Sequence, residues 1–235
     1  MFRRTTDGGD AGEQCAADWC LSGRLLYESH VTGTGARYCS IVTQSVSGSE
    51  LAKFESPWPM SRDTDLEAWK QQLANLSQAN ASLRPAKTGG QDARRMWDLQ
   101  LVCAPIQPRF LRDNESEIEK ERVVMAEIEG VHVGFCLSAP GPSEADPLFV
   151  QVVAVAPEAR KRGVGLSLLS AAAAKEPLRD IALATQPDNV AALAMNERFA
   201  VSLGANIRRV PLGTFRHGDL GIRRGDGYRS WHIQR

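Results

Sequence analysis

The spacing of apolar residues changes character near residue 80. Before it, "CLSGRLLYESH" and "ARYCSIVTQSV" each read as a strand, with "VTGTG" as the turn between them. Residues 1–14 are polar and glycine-bearing, and a mobile start is expected there. "ESPWPMSRD" reads as a proline-bounded loop, and "TDLEAWKQQLANLSQ" as a helix. Thr64 and Glu67 form a capping-box pattern at its start. Leu66, Trp69, Leu73 and Leu76 recur at helical spacing. Packing against a following domain is the plain reading of that stripe; a regulatory or oligomer-forming face is the other.

After residue 80, strands and helices alternate. "SLRPAK" predicts a short strand. "GQDARRMWDLQLVC" predicts an amphipathic helix with Ala93, Met96, Trp97 and Leu101 on one side. "RDNESEIEKE" predicts a charge-rich helix with a solvated acidic face. "VVMAEIEG" and "VHVGFCLSA" predict a hairpin across Glu129-Gly130, with His132 exposed after the turn. "PLFVQVVAVA" is nearly all apolar, as a strand buried on both faces would be. A helix, strand "IALATQ", helix "NVAALAMNERFAVSLG", strand "NIRRVPL", a glycine-rich loop and strand "YRSWHIQ" complete the chain. The predicted order is β-α-α-β-β-β-α-β-α-β-β. The division is thus an N-terminal extension, 1–80, and an α/β domain, 81–235.

Charge narrows the partners. Lys plus Arg and Asp plus Glu both number 28, so net charge is zero. That balance argues against nucleic acid or membrane as a partner. No run approaches the 18 apolar residues of a membrane span, and no secretory signal is legible, so a cytoplasmic location is expected. The five cysteines, at 15, 20, 39, 103 and 136, lack a Cys-x-x-Cys pair. Reduced thiols are the expectation, with Cys15, Cys20 and His30 the weak alternative of a zinc site.

The chemistry concentrates in "VAVAPEARKRGVGLSLLSAAAA", residues 153–174, a strand joined to a helix by a basic, glycine-bearing turn. Gly163 and Gly165 remove side chains, so a ligand can approach main-chain N–H groups. The first N–H groups of a helix lack internal partners and carry the positive end of its dipole. Together they suit a phosphate or pyrophosphate. Arg160, Lys161 and Arg162 add positive charge. The phosphate-loop ending Gly-Lys-Ser/Thr and the three-glycine dinucleotide fingerprint are both absent.

This stretch resembles the acetyl-CoA signature of the GNAT superfamily of N-acetyltransferases, with Arg160, Gly163 and Gly165 in the places of Arg/Gln-x-x-Gly-x-Gly/Ala. The likeness extends over about 150 residues. "LRPAKTGGQDARRMWDL" is similar to the family's first strand and helix, and "AEIEGVHVGFCLSA" to its central hairpin with Gly134. "DNVAALAMNERF" is similar to its Asn-x-x-Ala helix, and "DGYRSWHIQ" to its last strand. The resemblance implies an α/β fold, a GNAT-like mixed twisted sheet flanked by helices. It also implies acetyl transfer from acetyl-CoA to a primary amine, direct within a ternary complex, without a metal. Main-chain groups of Val153 and Val155 would meet the pantetheine arm. N–H groups from Arg160, Lys161, Arg162, Gly163, Val164 and Gly165 to Leu166 would hold the pyrophosphate. Asn189 and Asn196 would reach the arm from the later helix. An N–H on the central strand would polarise the thioester carbonyl.

Two departures bear on catalysis. Asn196 stands where the family often has a tyrosine that protonates the leaving thiolate. The central strand has no acid where many relatives carry a glutamate base. Asn196, Glu144 and Tyr228 are the catalytic candidates that follow, with Glu127, Asp146 and His232 as further titratable groups. A small-molecule or peptide amine would sit between "APIQPRFLRD" and "GTFRHGDLGIRRGDG", whose arginines suit a carboxylate or phosphate; a homodimer is a further partner to consider. The alternative is a catalytically weak or inactive CoA-binding regulatory module.

Overall fold

The computed structural model describes residues 26–31, 37–42 and 61–235, apart from position 224. The chain divides into two compact units, Met1–Trp58 and Pro59–Arg235. In the first, β1 (Leu26–Val31) pairs antiparallel with β2 (Arg37–Val42), from Leu26 opposite Val42 to Val31 opposite Arg37. Both strands fall where alternation predicts them. The expected mobile start and the Cys15–Cys20 pair lie outside the described residues.

The second unit begins earlier than residue 80. Helix α1 (Ser61–Ala74) belongs to it, and starts three residues before the expected cap at Thr64. Trp69 and Leu73 are buried in the main core. The Trp69 indole N–H donates to the His132 carbonyl at 3.0 Å. Burying a tryptophan and a leucine against the sheet outweighs a boundary suggested by local composition.

The sheet has seven strands in the order β3-β4-β5-β6-β7-β9-β8. They are β3 (Ser82–Pro85), β4 (Val123–Ile128), β5 (Val131–Pro140), β6 (Leu148–Val155), β7 (Ile181–Thr185), β8 (Asn206–Val210) and β9 (Arg229–Gln234). All neighbours are antiparallel except β6 and β7. Helices α2 (Asp92–Val102), α3 (Leu111–Glu119), α4 (Val164–Ala174) and α5 (Val190–Ser202) complete the predicted order. The β4–β5 turn has two positive-φ residues, Glu129 at 50° and Gly130 at 83°, as a two-residue hairpin of matching twist requires. Leu168, Leu169 and Ala172 of α4 are fully buried, and the small residues let the helix lie close on β4, β5 and β6.

Two sequence readings of this region change. On α2 the buried apolar arc is Ala93, Met96 and Leu99, followed by Cys103, while Leu101 is 44% exposed. The helix also buries Asp98, to which Arg95 donates at 2.7 Å while its other terminal nitrogen donates to Asp65 of α1. The buried face is therefore wider than its apolar residues and rotated from the predicted one. On β6 only the first half is buried on both faces; Gln151, Val152 and Val153 are half-buried.

His132 is not exposed. Its Nε2 lies 2.9 Å from Asp92 and 3.1 Å from Glu127. Arg84 donates to Asp92 through both terminal nitrogens, at 2.6 and 2.8 Å, and to Glu127. Burial alone would raise the Asp92 carboxyl. Hydrogen bonds from Arg84, the Lys87 N–H and His132 outweigh it and hold the group at about 2. Asp92, Glu127 and His132 are close enough to share a metal ion, but the Arg84 cation already occupies the two carboxylates. The cluster ties β3 to α2 and to the β4–β5 hairpin.

Two outcomes follow. Trp69→Ala should destabilise the second unit by roughly 3–5 kcal/mol, read as a lower urea midpoint. Loss of less than about 1 kcal/mol would mean that α1 is not an integral part of that unit. Asp92 ionises more readily folded than unfolded, where its pKa is about 3.9. Its contribution is complete above that value and fades as pH falls toward about 2. Asp92→Asn should therefore lose stability at pH 6, by about 3 kcal/mol, and much less at pH 2.5. An equal deficit at both pH values would assign the loss to packing.

Candidate active site

The site is built where β6 and β7 part. Their pairing runs from Leu148 opposite Ile181 to Val150 opposite Leu183 and stops. At the same place β6 carries a bulge against β5: Leu137 faces Val152 and Ser138 faces Val150, so Gln151 has no opposite residue. Bulges bend a strand and re-aim side chains. Beyond Val150 the two strands diverge and a cleft of about 460 Å³ opens. Val150–Val153 form its floor and Leu183–Gln186 one side. Asn189, Ala192, Met195 and Asn196 of α5 line it, as do residues 105–110 and the loop before β9.

The turn lies past the end of β6. A single 3₁₀ turn, Pro157–Ala159, leads to Lys161 (φ 63°) and Gly163 (φ 80°). Gly163 caps α4 without any side-chain hydrogen bond, and its carbonyl accepts from the Ser167 N–H at 3.0 Å. The N–H groups of Val164, Gly165 and Leu166 thus precede the first intrahelical donor. A Cβ added at Gly163 would meet nothing within 4 Å, so the space beside this cap is open. Gly165 serves a different purpose: a Cβ there would fall 2.5 Å from Met195 Sδ, so the glycine allows α4 and α5 to approach.

The three cations do not act alike. Arg160 Nε donates to the Val155 carbonyl at 3.1 Å, and an Arg162 terminal nitrogen to the Ser77 carbonyl at 2.6 Å. Both brace the turn through the protein itself. Cys103 Sγ also donates to the Val155 carbonyl, at 3.3 Å. With both lone pairs engaged, that carbonyl is a poor partner for a pantetheine arm. Val153 lines the cleft and Val155 is not among the lining residues.

Asn189, Asn196 and Tyr228 all line the cleft. The Asn189 side chain caps α5, accepting from the Ala192 N–H at 3.1 Å. Asn196 is buried. Burial raises the Tyr228 phenol above its ordinary pKa, and the charge of Asp226 raises it further. Glu144 is exposed in the loop before β6, at the opposite end of that strand from the turn. Glu144 is not among the residues that line the cleft. Asp146 accepts from the Ser143 N–H in the same loop. His232 pairs with Asp180 at 3.1 Å, and Glu127 belongs to the Arg84 cluster.

Sequence reading passed over Gln151. Its signal was one polar residue in an apolar strand. Its Oε1 accepts from an Arg109 terminal nitrogen at 3.0 Å, and its Nε2 donates to the Asp219 carbonyl at 3.1 Å. It joins the two loops flanking the cleft.

Comparison with known proteins points to one family over part of the chain. Residues 92–200 match the model of the Acetyltransferase (GNAT) family. The L-2,4-diaminobutyric acid acetyltransferase of Nocardia farcinica (strain IFM 10152) is 35% identical over 92 residues, 38% of this chain and 48% of that protein. The match thus spans about half the length of this curated relative. Among solved structures, the diaminobutyrate acetyltransferase from Paenibacillus lautus, in complex with L-2,4-diaminobutyric acid and coenzyme A, superposes with a TM-score of 0.53 at 21% identity, covering 66% of this chain and 94% of that one. The N-acetylglutamate synthase from Neisseria gonorrhoeae, complexed with coenzyme A and N-acetyl-glutamate, gives 0.50 at 17% identity, covering 68% and 36%. At such identities the structural likeness speaks for a shared fold. Residues 92–200, which include the strand that parts from β7 and the glycine-capped helix α4, thus carry the likeness to the Acetyltransferase (GNAT) family.

Proposed function

We propose that the chain transfers an acetyl group from acetyl-CoA to a primary amine of a small-molecule acceptor. The observation that carries this reading is the N-terminus of α4, capped by Gly163 with no side-chain hydrogen bond, at the end of the strand whose parting from β7 opens the cleft. N–H groups between Lys161 and Leu166 would bind the pyrophosphate, with the helix dipole favouring its charge. The pantetheine arm would follow Val153 and pass Asn189 and Asn196. The thioester would then lie near the bulge, and the acceptor would enter between residues 105–110 and the loop before β9.

Transfer is direct in this reading. A covalent route needs an ionised nucleophile beside a base. Desolvation raises the Cys103 thiol, against a smaller opposing pull from Arg160. Burial pushes Cys136 up to about 12. Neither thiol ionises readily at neutral pH. The free amine would attack the thioester carbonyl and lose its proton to water, and the leaving thiolate would take a proton. Tyr228 is the donor we favour, because its raised pKa keeps the phenol protonated and it lines the cleft. The diaminobutyrate acetyltransferases among its relatives place L-2,4-diaminobutyric acid first among acceptors to test.

A second reading, a CoA-binding regulatory module, draws on one observation: the floor of the cleft carries Gln151 rather than a carboxylate. Acetyl-CoA turnover against a panel of amines separates the two.

Gly163→Glu should abolish CoA binding in isothermal titration while the circular dichroism spectrum is unchanged. The added anion would project into the space before the helix, and φ 80° disfavours any side chain. Undiminished affinity would sink the assignment of the turn. Tyr228→Phe should lower kcat about 10²–10⁴-fold with CoA affinity intact. In the unaltered enzyme kcat should fall only above about pH 10, because a proton donor fails as pH rises through its own elevated pKa. An unchanged kcat in the Phe variant would remove Tyr228 from the mechanism.

A further inference from the structure

We infer that Gln151 is a positioning residue that presents Arg109 to the acceptor, and that the acceptor is therefore an amine carrying a carboxylate. This rests on the acetyl-transfer reading and narrows it to one substrate class.

The bulge leaves Gln151 free of the ladder on the β5 side, and pairing on the β7 side ends one residue before it. The bulge re-aims its side chain, which lines the cleft and bridges to Arg109 and Asp219. The two bonds it makes fix its amide orientation, because an arginine can only donate and a carbonyl can only accept. Oε1 must face Arg109 and Nε2 must face Asp219. A glutamate could satisfy the first contact but would set a carboxylate oxygen against the Asp219 carbonyl. A primary amide meets both demands, which is a physical reason for glutamine on this strand.

Each end of the bridge is anchored elsewhere. On one side the Arg109 N–H donates to Gln100 at 2.9 Å, Gln100 donates to Asn114 at 3.2 Å, and Asn114 donates to the Ala93 carbonyl at 3.3 Å. Gln100 and Asn114 are both buried, so this chain of amides pins the α2–α3 connection. On the other side the loop is folded on itself, with Asp219 and Leu220 N–H groups donating to the Arg216 carbonyl. Leu220 is buried against Phe149 and Ala182. Gly221 (φ 67°) lies so near that a Cβ would fall 2.8 Å from that of Gln151.

Arg109 lines the cleft, and one of its five N–H donors is engaged by a neutral amide. Its charge is therefore not neutralised by Gln151. A guanidinium held in this way suits a carboxylate, which it can bind through two parallel bonds. Asp113 and Asp226 also line the cleft and suit an ammonium. The combination fits an amino acid with a further amine better than a plain amine.

The test compares amino acids with their decarboxylated counterparts: L-2,4-diaminobutyric acid with 1,3-diaminopropane, L-ornithine with putrescine, and L-lysine with cadaverine. Binding to the CoA-saturated protein is measured by calorimetry, and turnover separately. The unaltered protein should favour the carboxylate member of at least one pair about tenfold or more. Gln151→Leu and Arg109→Met should both erase that preference, raising the acceptor KM about 10–100-fold while leaving the KM for acetyl-CoA unchanged. Gln151→Glu should erase it too, by neutralising Arg109 in place. Thermal melts identify any variant that simply fails to fold, and the three substitutions give independent readings. Equal binding of both members of every pair, or preference retained in Gln151→Leu and Gln151→Glu, would overturn the inference. Carboxylate-selective binding without turnover would overturn the acetyl-transfer reading and leave this one standing.

Discussion

Everything in the second unit is arranged around two strands that stop pairing. After Val150 and Leu183 the facing edges of β6 and β7 carry main-chain donors and acceptors that the ladder no longer satisfies. Buried backbone groups do not stay unpaired without cost. A gap of this kind is tolerable only where water, a ligand or the protein supplies partners. The chain supplies some: Arg160 and Cys103 both bond the Val155 carbonyl. The bulge at Gln151 begins the divergence, and the α4 N-terminus lies past the end of the same strand. An extended ligand with an anionic end matches both features.

The rest of the unit keeps that gap from closing. Small residues on α4 bring it close to the sheet, and Gly165 lets α5 pack against it near Met195. The Arg84–Asp92–Glu127–His132 cluster locks the β3 edge and α2 to the central hairpin. The stripe of α1, through Trp69 and Leu73, adds a further layer to the core. Arg162, one of the cations of the turn, is braced by the Ser77 carbonyl just after α1. This helix is consequently part of the scaffold that supports the glycine turn.

The geometry of the cleft walls has another origin. The walls of the cleft are loops, and loops owe their positions to particular polar contacts rather than to periodic burial. Here the contacts run through amides and one guanidinium: Asn114, Gln100, then Arg109, Gln151 and the Asp219 carbonyl. Such networks specify shape because every member must be satisfied at once.

The sequence by itself determined the element order, the hairpin at Glu129-Gly130 and the glycine turn before α4. Those follow from local chemistry: apolar period, positive-φ residues and uncapped helix N–H groups. It could not show that the buried face of α2 includes Asp98 and Gln100, because a polar residue reads as exposed until its partner is known. Nor could it place His132 inside an ion cluster, exclude Glu144 from the cleft, or reveal Gln151 as a bridge. Arg109 and Asp219 lie 42 and 68 residues from Gln151 along the chain. Only tertiary folding brings such donors and acceptors to 3.0 and 3.1 Å, and no local pattern encodes a contact whose two ends are set by different strands and loops.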